Sequence, residues 1–498
     1  MRHLLPLAIV LVMSNTLFAA EHADVIDLSK QYQVIENFGA SDCWTFQRLG
    51  GWSEASRNKV ADLLFSTDKG IGLSLWRFNI GGGINHESIN NRWRTAETFE
   101  TAEGQYDWTR QANERWFARA AKERGVPYLL AFVNSPPGRM TRSGLTNSGS
   151  DKTSATNLKP DFEKQYARYL CDILQHFRET TDPKERLPFD YISPINEPQI
   201  EWAAGSQEGN RCSNEDIKRI LIALNDELTA RKLPVKIRAP ESNTVPDLWH
   251  NNQKATTRYS ATFGNYLEAL CKDPAIAPLL DQTICYHNYG SGEGEKLVAD
   301  HQMLGEKMKS HPGWKLWMSE MCVMSPRRDL GINMALDVAR MIHADLVLSG
   351  ASAWHWWLAV SNVDYKDGLL YTNWRRPGDE ESILVSKTLW GFGNFSRFIR
   401  PGMRRVELTA DGHDFKGLLG SAYIDPSSGK IVVVYVNSTS DAQRVRCEIK
   451  SVSGGTKVAE QFTPYVTSAP DDLAPKSAVS LSSGVELPPR SIVTLVSN

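Results

Sequence analysis

Between residue 37 and about residue 399, short apolar runs alternate with amphipathic stretches of helical length. The runs are Asn37 to Cys43, Leu73 to Ile80, Pro127 to Asn134, Phe189 to Asn196, Val235 to Ala239, Gln282 to His287, Lys315 to Glu320 and Gly350 to Trp357. The stretches between and after them are Ser53 to Phe65, Trp108 to Arg124, Asp161 to Glu179, Ser213 to Arg231, Tyr259 to Cys271, Glu295 to Lys309, Gly331 to Leu348 and Ser382 to Phe398. Runs of this length and apolarity read as strands buried on both faces, and strands separated by helices pair in parallel. Eight such units predict an α/β fold, a (β/α)8 TIM barrel over residues 37–399. Ser53 with Ser56, and Ser213 with Asp216, place short polar residues and early acids where two of the helices start.

Past residue 400 the period changes to two. Val406 to Leu408, Gly417 to Leu419, Lys430 to Val436, Gln443 to Ile449 and Ser491 to Val496 are β-branched segments, parted by turn signals such as Asp425-Pro426-Ser427-Ser428-Gly429. They predict an appended antiparallel β-sandwich over 400–498. One or two short strands within residues 21–36 lie ahead of the barrel and are expected to join this side domain. A doubly wound sheet is the competing arrangement, but it normally carries a Gly-rich phosphate turn. Gly81-Gly82-Gly83 has neither the G-x-G-x-x-G nor the P-loop spacing.

The N-terminus has its own pattern: basic Arg2-His3, an apolar stretch from Leu4 to Met13, then Ala19-Ala20. Residues 1–20 read as a secretory signal peptide, which implies a secreted or periplasmic protein. The apolar stretch is too short for a permanent membrane span. Lys plus Arg number 56 against 58 Asp plus Glu, a net charge of -2 that argues against nucleic acid or an anionic membrane as partner. Fifteen Trp and fifteen Tyr favour a sugar partner modestly, since most such rings serve cores. The seven Cys show no C-x-x-C and the eleven His no H-E-x-x-H, so no metal and no cofactor is expected.

The barrel pattern also explains why nearly every run ends in polar residues, because strand C-termini build the active site of such barrels. These ends are Ser41-Asp42, Arg77 and Asn79, Asn134-Ser135, Asn196-Glu197, Glu241-Ser242, His287-Asn288-Tyr289, Ser319-Glu320 and His355. Glu197 and Glu320 end the fourth and seventh runs, on facing walls of a closed barrel. Glycoside hydrolysis needs such a pair, one carboxyl protonated to release the leaving oxygen and one ionised across the sugar. An isolated Glu at a strand end is more often a surface ion pair. The pairing, with Asn196 before Glu197 and Pro198 after it, favours catalysis.

The motifs Phe38-Gly39-Ala40-Ser41-Asp42, Leu75 to Gly83, Asn134-Ser135-Pro136-Pro137, Ser193 to Pro198 and Ser319-Glu320 together resemble glycoside hydrolase family 30 of clan A, most of all its endo-β-1,6-galactanase-like branch. The resemblance covers nearly the whole mature chain. It implies a barrel with a β side domain fed by both termini, and a retaining mechanism with Glu197 as acid/base and Glu320 as nucleophile. It further implies that Asn196 binds the sugar 2-hydroxyl, that Arg77 holds Glu320 ionised, and that Tyr289 of His287-x-Tyr289 orients the nucleophile. An aromatic at the end of the eighth strand, Trp354 or Trp356, would floor the pocket; the sequence does not decide which.

Departures fall on the substrate side. Gly138-Arg139-Met140 follows Pro137 where Trp is common, and Asn288 stands where Trp is frequent. Arg139 is a candidate to grip the carboxylate of an acidic sugar. The expected function is hydrolysis of a β-linked polysaccharide, first β-1,6-galactan. Glucuronoxylan, β-1,6-glucan or a glycan bearing uronic acid are alternatives by the same mechanism, and a non-catalytic carbohydrate-binding protein is the alternative of another class.

Overall fold

A computed structural model describes residues 20–205, 207–450 and 460–498 of the chain, so the leader assigned to residues 1–20 lies, but for Ala20, outside the described residues. The eight apolar runs form strands β1 (Asn37–Ser41), β2 (Leu75–Asn79), β3 (Tyr128–Phe132), β4 (Tyr191–Ser193), β5 (Lys236–Ile237, resumed at Pro240–Ser242), β6 (Thr283–His287), β7 (Lys315–Met321) and β8 (Ala353–Ser361). All neighbours pair in parallel, and β8 returns to β1 with Trp354 opposite Phe38. The split strand β5 closes the ring. Its first half pairs with β4 and its second half with β6. Between the halves the Arg238 N–H donates to the Ile192 carbonyl at 2.8 Å, and the Cys285 N–H donates to the Ala239 carbonyl at 2.9 Å.

Below the mouth the barrel is filled by Tyr191, Trp317, Arg238 and His355. The Arg238 guanidinium lies over the Tyr191 and Trp317 rings at 4.5 and 4.4 Å. Gly39 makes room for this filling, because a Cβ there would stand 2.9 Å from Leu75 Cδ2 and 3.0 Å from His355 Cδ2. All seven cysteines are free and buried.

Helices start where short polar side chains can accept the first free N–H groups. Ser53 accepts from the Ser56 N–H ahead of helix Glu54–Phe65, and Ser213 with Asp216 forms a full capping box ahead of Asn214–Ala230. The fifth helical stretch is a correction. Instead of one helix over Tyr259–Cys271 there are two pieces, Gln253–Tyr259 and a π-turn over Leu267–Cys271. Ser260, Gly264 and Asn265 between them all have positive φ, which a continuing helix cannot contain.

The side domain is a nine-stranded sheet wrapped over its own core. Its N-terminal contribution is one long strand, Ala20–Val34, lying inside the sheet between Arg404–Thr409, to which it is antiparallel, and Gln443–Lys450, to which it is parallel. Period-two alternation divides strand Ile431–Asn437 between two cores. Val433 and Tyr435 face the sheet's own interior, while Val432, Val434 and Val436 join the apolar cluster of the barrel. The side domain is thereby fused to the barrel by apolar burial.

Candidate active site

Five strand ends, those of β2 and of β4 to β7, converge at the mouth of the barrel. After β4 the chain turns at Pro194, whose carbonyl accepts from the buried Tyr166 hydroxyl at 2.7 Å, and presents Asn196 and Glu197. Glu197 has φ +45°, an unfavourable conformation for a residue with a side chain. Two hydrogen bonds hold it there. Its N–H donates to the Glu241 carbonyl at 2.9 Å, and its own carbonyl accepts from Trp202 Nε1 at 3.0 Å. On the other wall the β6–β7 register shifts between Tyr286↔Met318 and His287↔Glu320. The bulge lets Ser319 and Glu320 both reach the mouth.

The two carboxylates have different surroundings. Glu320 accepts on both oxygens, from Arg77 Nη1 at 3.0 Å on Oε2 and from the Tyr289 hydroxyl at 3.1 Å on Oε1. Glu197 accepts twice on Oε1, from Asn243 Nδ2 at 2.7 Å and from His287 Nδ1 at 2.9 Å. Its Oε2 makes no hydrogen bond among the described residues. The Glu197, His287 and Glu320 donor atoms lie within 4.8 Å of one another.

Beneath them His287 and Arg77 form the positive half of the cluster. His287 Nε2 donates to Glu241 Oε2 at 3.0 Å, and its Nδ1 lies 3.4 Å from Glu320 Oε1. Burial opposes its charge, but Glu320, Glu197 and Glu241 outweigh burial and push it up to about 10. Burial likewise disfavours the Glu241 carboxylate, yet the His287 hydrogen bond, Arg77 and Ser319 bring it down to about 2. Arg77 stays charged between Glu320 and Glu241 in spite of full burial. Burial raises Glu320 against the pull of His287 and Arg77, and Glu197 adds to the rise. Burial raises the Tyr289 phenol well above its usual value, so it remains a neutral donor. Three clustered ligand atoms could suggest a cation site. Here both imidazole nitrogens are spent as donors to carboxylates, which is the chemistry of an ion-paired cluster.

The cleft above the carboxylates, about 220 Å³, is lined by Trp202, Gln207, Asn243, Tyr289, Met324 and Trp357. It continues over Gln207, Met324 and Trp357 toward Trp44, Trp93 and Arg94.

Several residues singled out in the sequence lie elsewhere. Trp354 and Trp356 are wholly buried on the outer face of β8, donating to Asp345 Oδ2 at 2.9 Å and to the Asp367 carbonyl at 2.7 Å. The aromatic at the cleft is Trp357, of opposite strand parity. Arg139 is engaged away from the cleft, its guanidinium gripping both oxygens of Glu100 at 2.7 Å each. Asn288 points behind β6, donating to Asp345 Oδ2 at 3.1 Å, and so is removed from substrate selection. Asp42 accepts from the Asn79 N–H at 2.9 Å, and Asn134 Nδ2 donates to Asn79 Oδ1 at 3.3 Å, forming a buried polar group at the ends of β1 to β3. Burial and nearby Glu114 hold Asp42 well above its usual range. The Oδ1 atoms of Asn134 and Asn196 are buried and have no partner among the described residues.

Asn243, Trp202, Gln207 and Trp357 were not singled out in the sequence, and Glu241 appeared there only among the polar strand ends, with no role of its own. Glu241 carried a signal, being the only acid at the end of the fifth run, but its partners are remote in the chain.

The profile of O-glycosyl hydrolase family 30 matches residues 21–371. The chain is 22% identical over 471 residues to the endo-beta-1,6-galactanase of Hypocrea rufa, covering 88% of this chain and 85% of that protein. It is also 22% identical over 484 residues to the glucuronoxylanase XynC of Bacillus subtilis strain 168, covering 95% and 91%. Among solved structures, a conserved exported protein from Bacteroides fragilis superposes with a TM-score of 0.84 at 30% identity, covering 95% of this chain and all of that one.

Proposed function

Because the chain belongs to glycoside hydrolase family 30 and is a glycoside hydrolase, we propose that it cleaves a β-linked polysaccharide with retention, using Glu320 as nucleophile and Glu197 as acid/base. The observation that carries this reading is the pair of buried carboxylates with oxygens within 4.8 Å of each other. Retaining enzymes hold the two groups about 5 to 5.5 Å apart, whereas an attacking water needs about 6.5 to 9.5 Å.

Unequal hydrogen bonding divides the labour. Donors on both Glu320 oxygens favour its anionic form, and the attacking group has to be an anion. Both donors to Glu197 converge on Oε1, so the transferable proton belongs on Oε2. Asn196, next to the acid, takes the sugar 2-hydroxyl in the family resemblance, although its Oδ1 is buried and has no partner among the described residues. Trp357 offers a ring face in the cleft.

We favour β-1,6-galactan as substrate, on the match to the galactanase over 88% of the chain. Xylan is the second reading, on the match to the glucuronoxylanase. Arg139 gives no support to an acidic sugar, since Glu100 already occupies it. Export belongs to this proposal, supported by the leader pattern at 1–20 and by a structural relative described as exported. No helix among the described residues is long and apolar enough to cross a membrane.

A polysaccharide panel tests the reading, with wild type, Glu320→Gln and Glu197→Ala compared and products weighed by mass spectrometry. Release of galactose oligomers from β-1,6-galactan is expected. Glu320→Gln should lose about a thousandfold or more in kcat, and azide should restore Glu197→Ala on substrates with activated leaving groups. Cleavage of xylan alone would move the substrate. An active Glu320→Gln would remove the nucleophile, and no cleavage of any glycan would favour a binding protein.

A further inference from the structure

The retaining reading uses Glu197 and Glu320 and leaves a third carboxylate unexplained. Glu241, at the end of β5, is completely buried beneath the cleft and does not line it. Its Oε2 accepts from His287 Nε2 at 3.0 Å and from the Ser319 hydroxyl, and lies 3.9 Å from Arg77 Nη2. Its backbone has φ +60°, and its carbonyl receives the Glu197 N–H. The conformation is unfavourable for a Glu, so the fold holds this side chain here at a cost.

We propose that Glu241 is a positioning residue that keeps His287 cationic, so that one imidazole N–H serves the two catalytic carboxylates in turn. The proposal rests on the retaining reading above. His287 Nδ1 stands 2.9 Å from Glu197 Oε1 and 3.4 Å from Glu320 Oε1, so a single N–H can lean to either.

In the first step a Glu320 oxygen bonds to the anomeric carbon. The bond from that carbon to the leaving oxygen breaks, and the Glu197 proton passes to that oxygen. Glu320 is now an uncharged ester and Glu197 a carboxylate, so the Nδ1–H is drawn to Glu197 alone and steadies it as a base. In the second step water bonds to the anomeric carbon, its proton goes to Glu197, and Glu320 leaves as a carboxylate. The imidazolium keeps both of its protons throughout.

A neutral imidazole would fail in this role. With its one proton on Nε2 facing Glu241, it would turn a lone pair on Nδ1 toward Glu197 and compete for the proton meant for the leaving group. The charge balance around the ring is set by Glu197, Glu241 and Glu320 on three sides, by Arg77 bonded to Glu320 and close to Glu241, by the neutral Tyr289 phenol, and by His355 below. His355 is pushed down to about 3 by burial and by Arg77, so it adds no charge.

Glu241→Gln tests the proposal, because it preserves volume and an acceptor oxygen while removing the charge. Nitrogen NMR of the His287 ring in resting enzyme is the first measurement. Wild type and Glu241→Asp should show both ring nitrogens protonated from pH 5 to 8, and Glu241→Gln should lose one proton within that range. The second is kcat/KM, which reports the first step. It should fall about tenfold further on an oligosaccharide than on a dinitrophenyl glycoside, whose leaving group departs without a proton.

A wild-type His287 that sheds a ring proton between pH 5 and 8, or equal losses on both substrates, would overturn the proposal. A wild-type spectrum with an unprotonated ring nitrogen overturns the proposal even if Glu241→Gln does not fold. The spectrum also needs no substrate: wild type that cleaves no glycan while His287 stays doubly protonated would remove the retaining reading and leave the charge assignment standing.

Discussion

At the scale of single residues, the site is a neutralised cluster of buried charges, and its pH dependence has a definite sign. His287 is raised from 6.5 to about 10, so its contribution to stability is full below pH 6.5 and lost as pH rises through about 10. Glu241 is lowered from 4.5 to about 2, so its contribution is present above pH 4.5 and lost as pH falls through about 2. Thermal unfolding followed across pH should therefore show its highest Tm between about pH 4.5 and 6.5 from these two groups. Glu241→Gln should flatten the acid limb, and an unchanged acid limb would contradict the assignment. That Glu197, Glu320, Arg77 and Tyr289 gather at one mouth was legible in the sequence because each ends an apolar run in a chemically telling residue. The position of Glu241 was legible in the same way but its contact was not, since its partner His287 is 46 residues away in the chain.

At the scale of elements, strand parity decides which aromatic ring faces the cleft. In β8 every residue from Ala353 to Ser361 is buried, so Trp354, Trp356 and Trp357 give no alternating pattern from which inward and outward faces could be read. The contacts settle it: Trp354 packs on Phe392 of helix Lys387–Ser396, while Trp357 meets Trp44 and Phe132 at the mouth. Trp357→Ala should raise KM about tenfold, the loss of one aromatic contact of about 1 kcal/mol or slightly more, with an unchanged fold. Equal KM values for the variant and wild type on the cleaved polysaccharide would take Trp357 out of the cleft's binding surface. The eight strands themselves were legible because burial on both faces writes them as unbroken apolar runs. The fifth helix was misread because its interruption depends on three positive-φ residues, of which only Gly264 is conspicuous in sequence.

At the scale of the whole molecule, a ring of eight strands holds Arg77, Glu197, Glu241, His287 and Glu320 on five different walls. The side domain adds rigidity from outside through Val432, Val434 and Val436, and strand Ala20–Val34 is built into the middle of its sheet. The two-domain order was legible from the change of period near residue 400. That the N-terminal segment is one central strand was not, because its pairing partners are 370 or more residues away. This scaffolding fixes the separation between Glu197 and Glu320, and under the proposed mechanism that separation sets the stereochemistry of the product. The most direct test is proton NMR of the first sugar released from a β-linked polysaccharide that the enzyme cleaves, recorded before mutarotation. The new reducing end is expected to appear first as the β-anomer; an α-anomer appearing first would contradict retention.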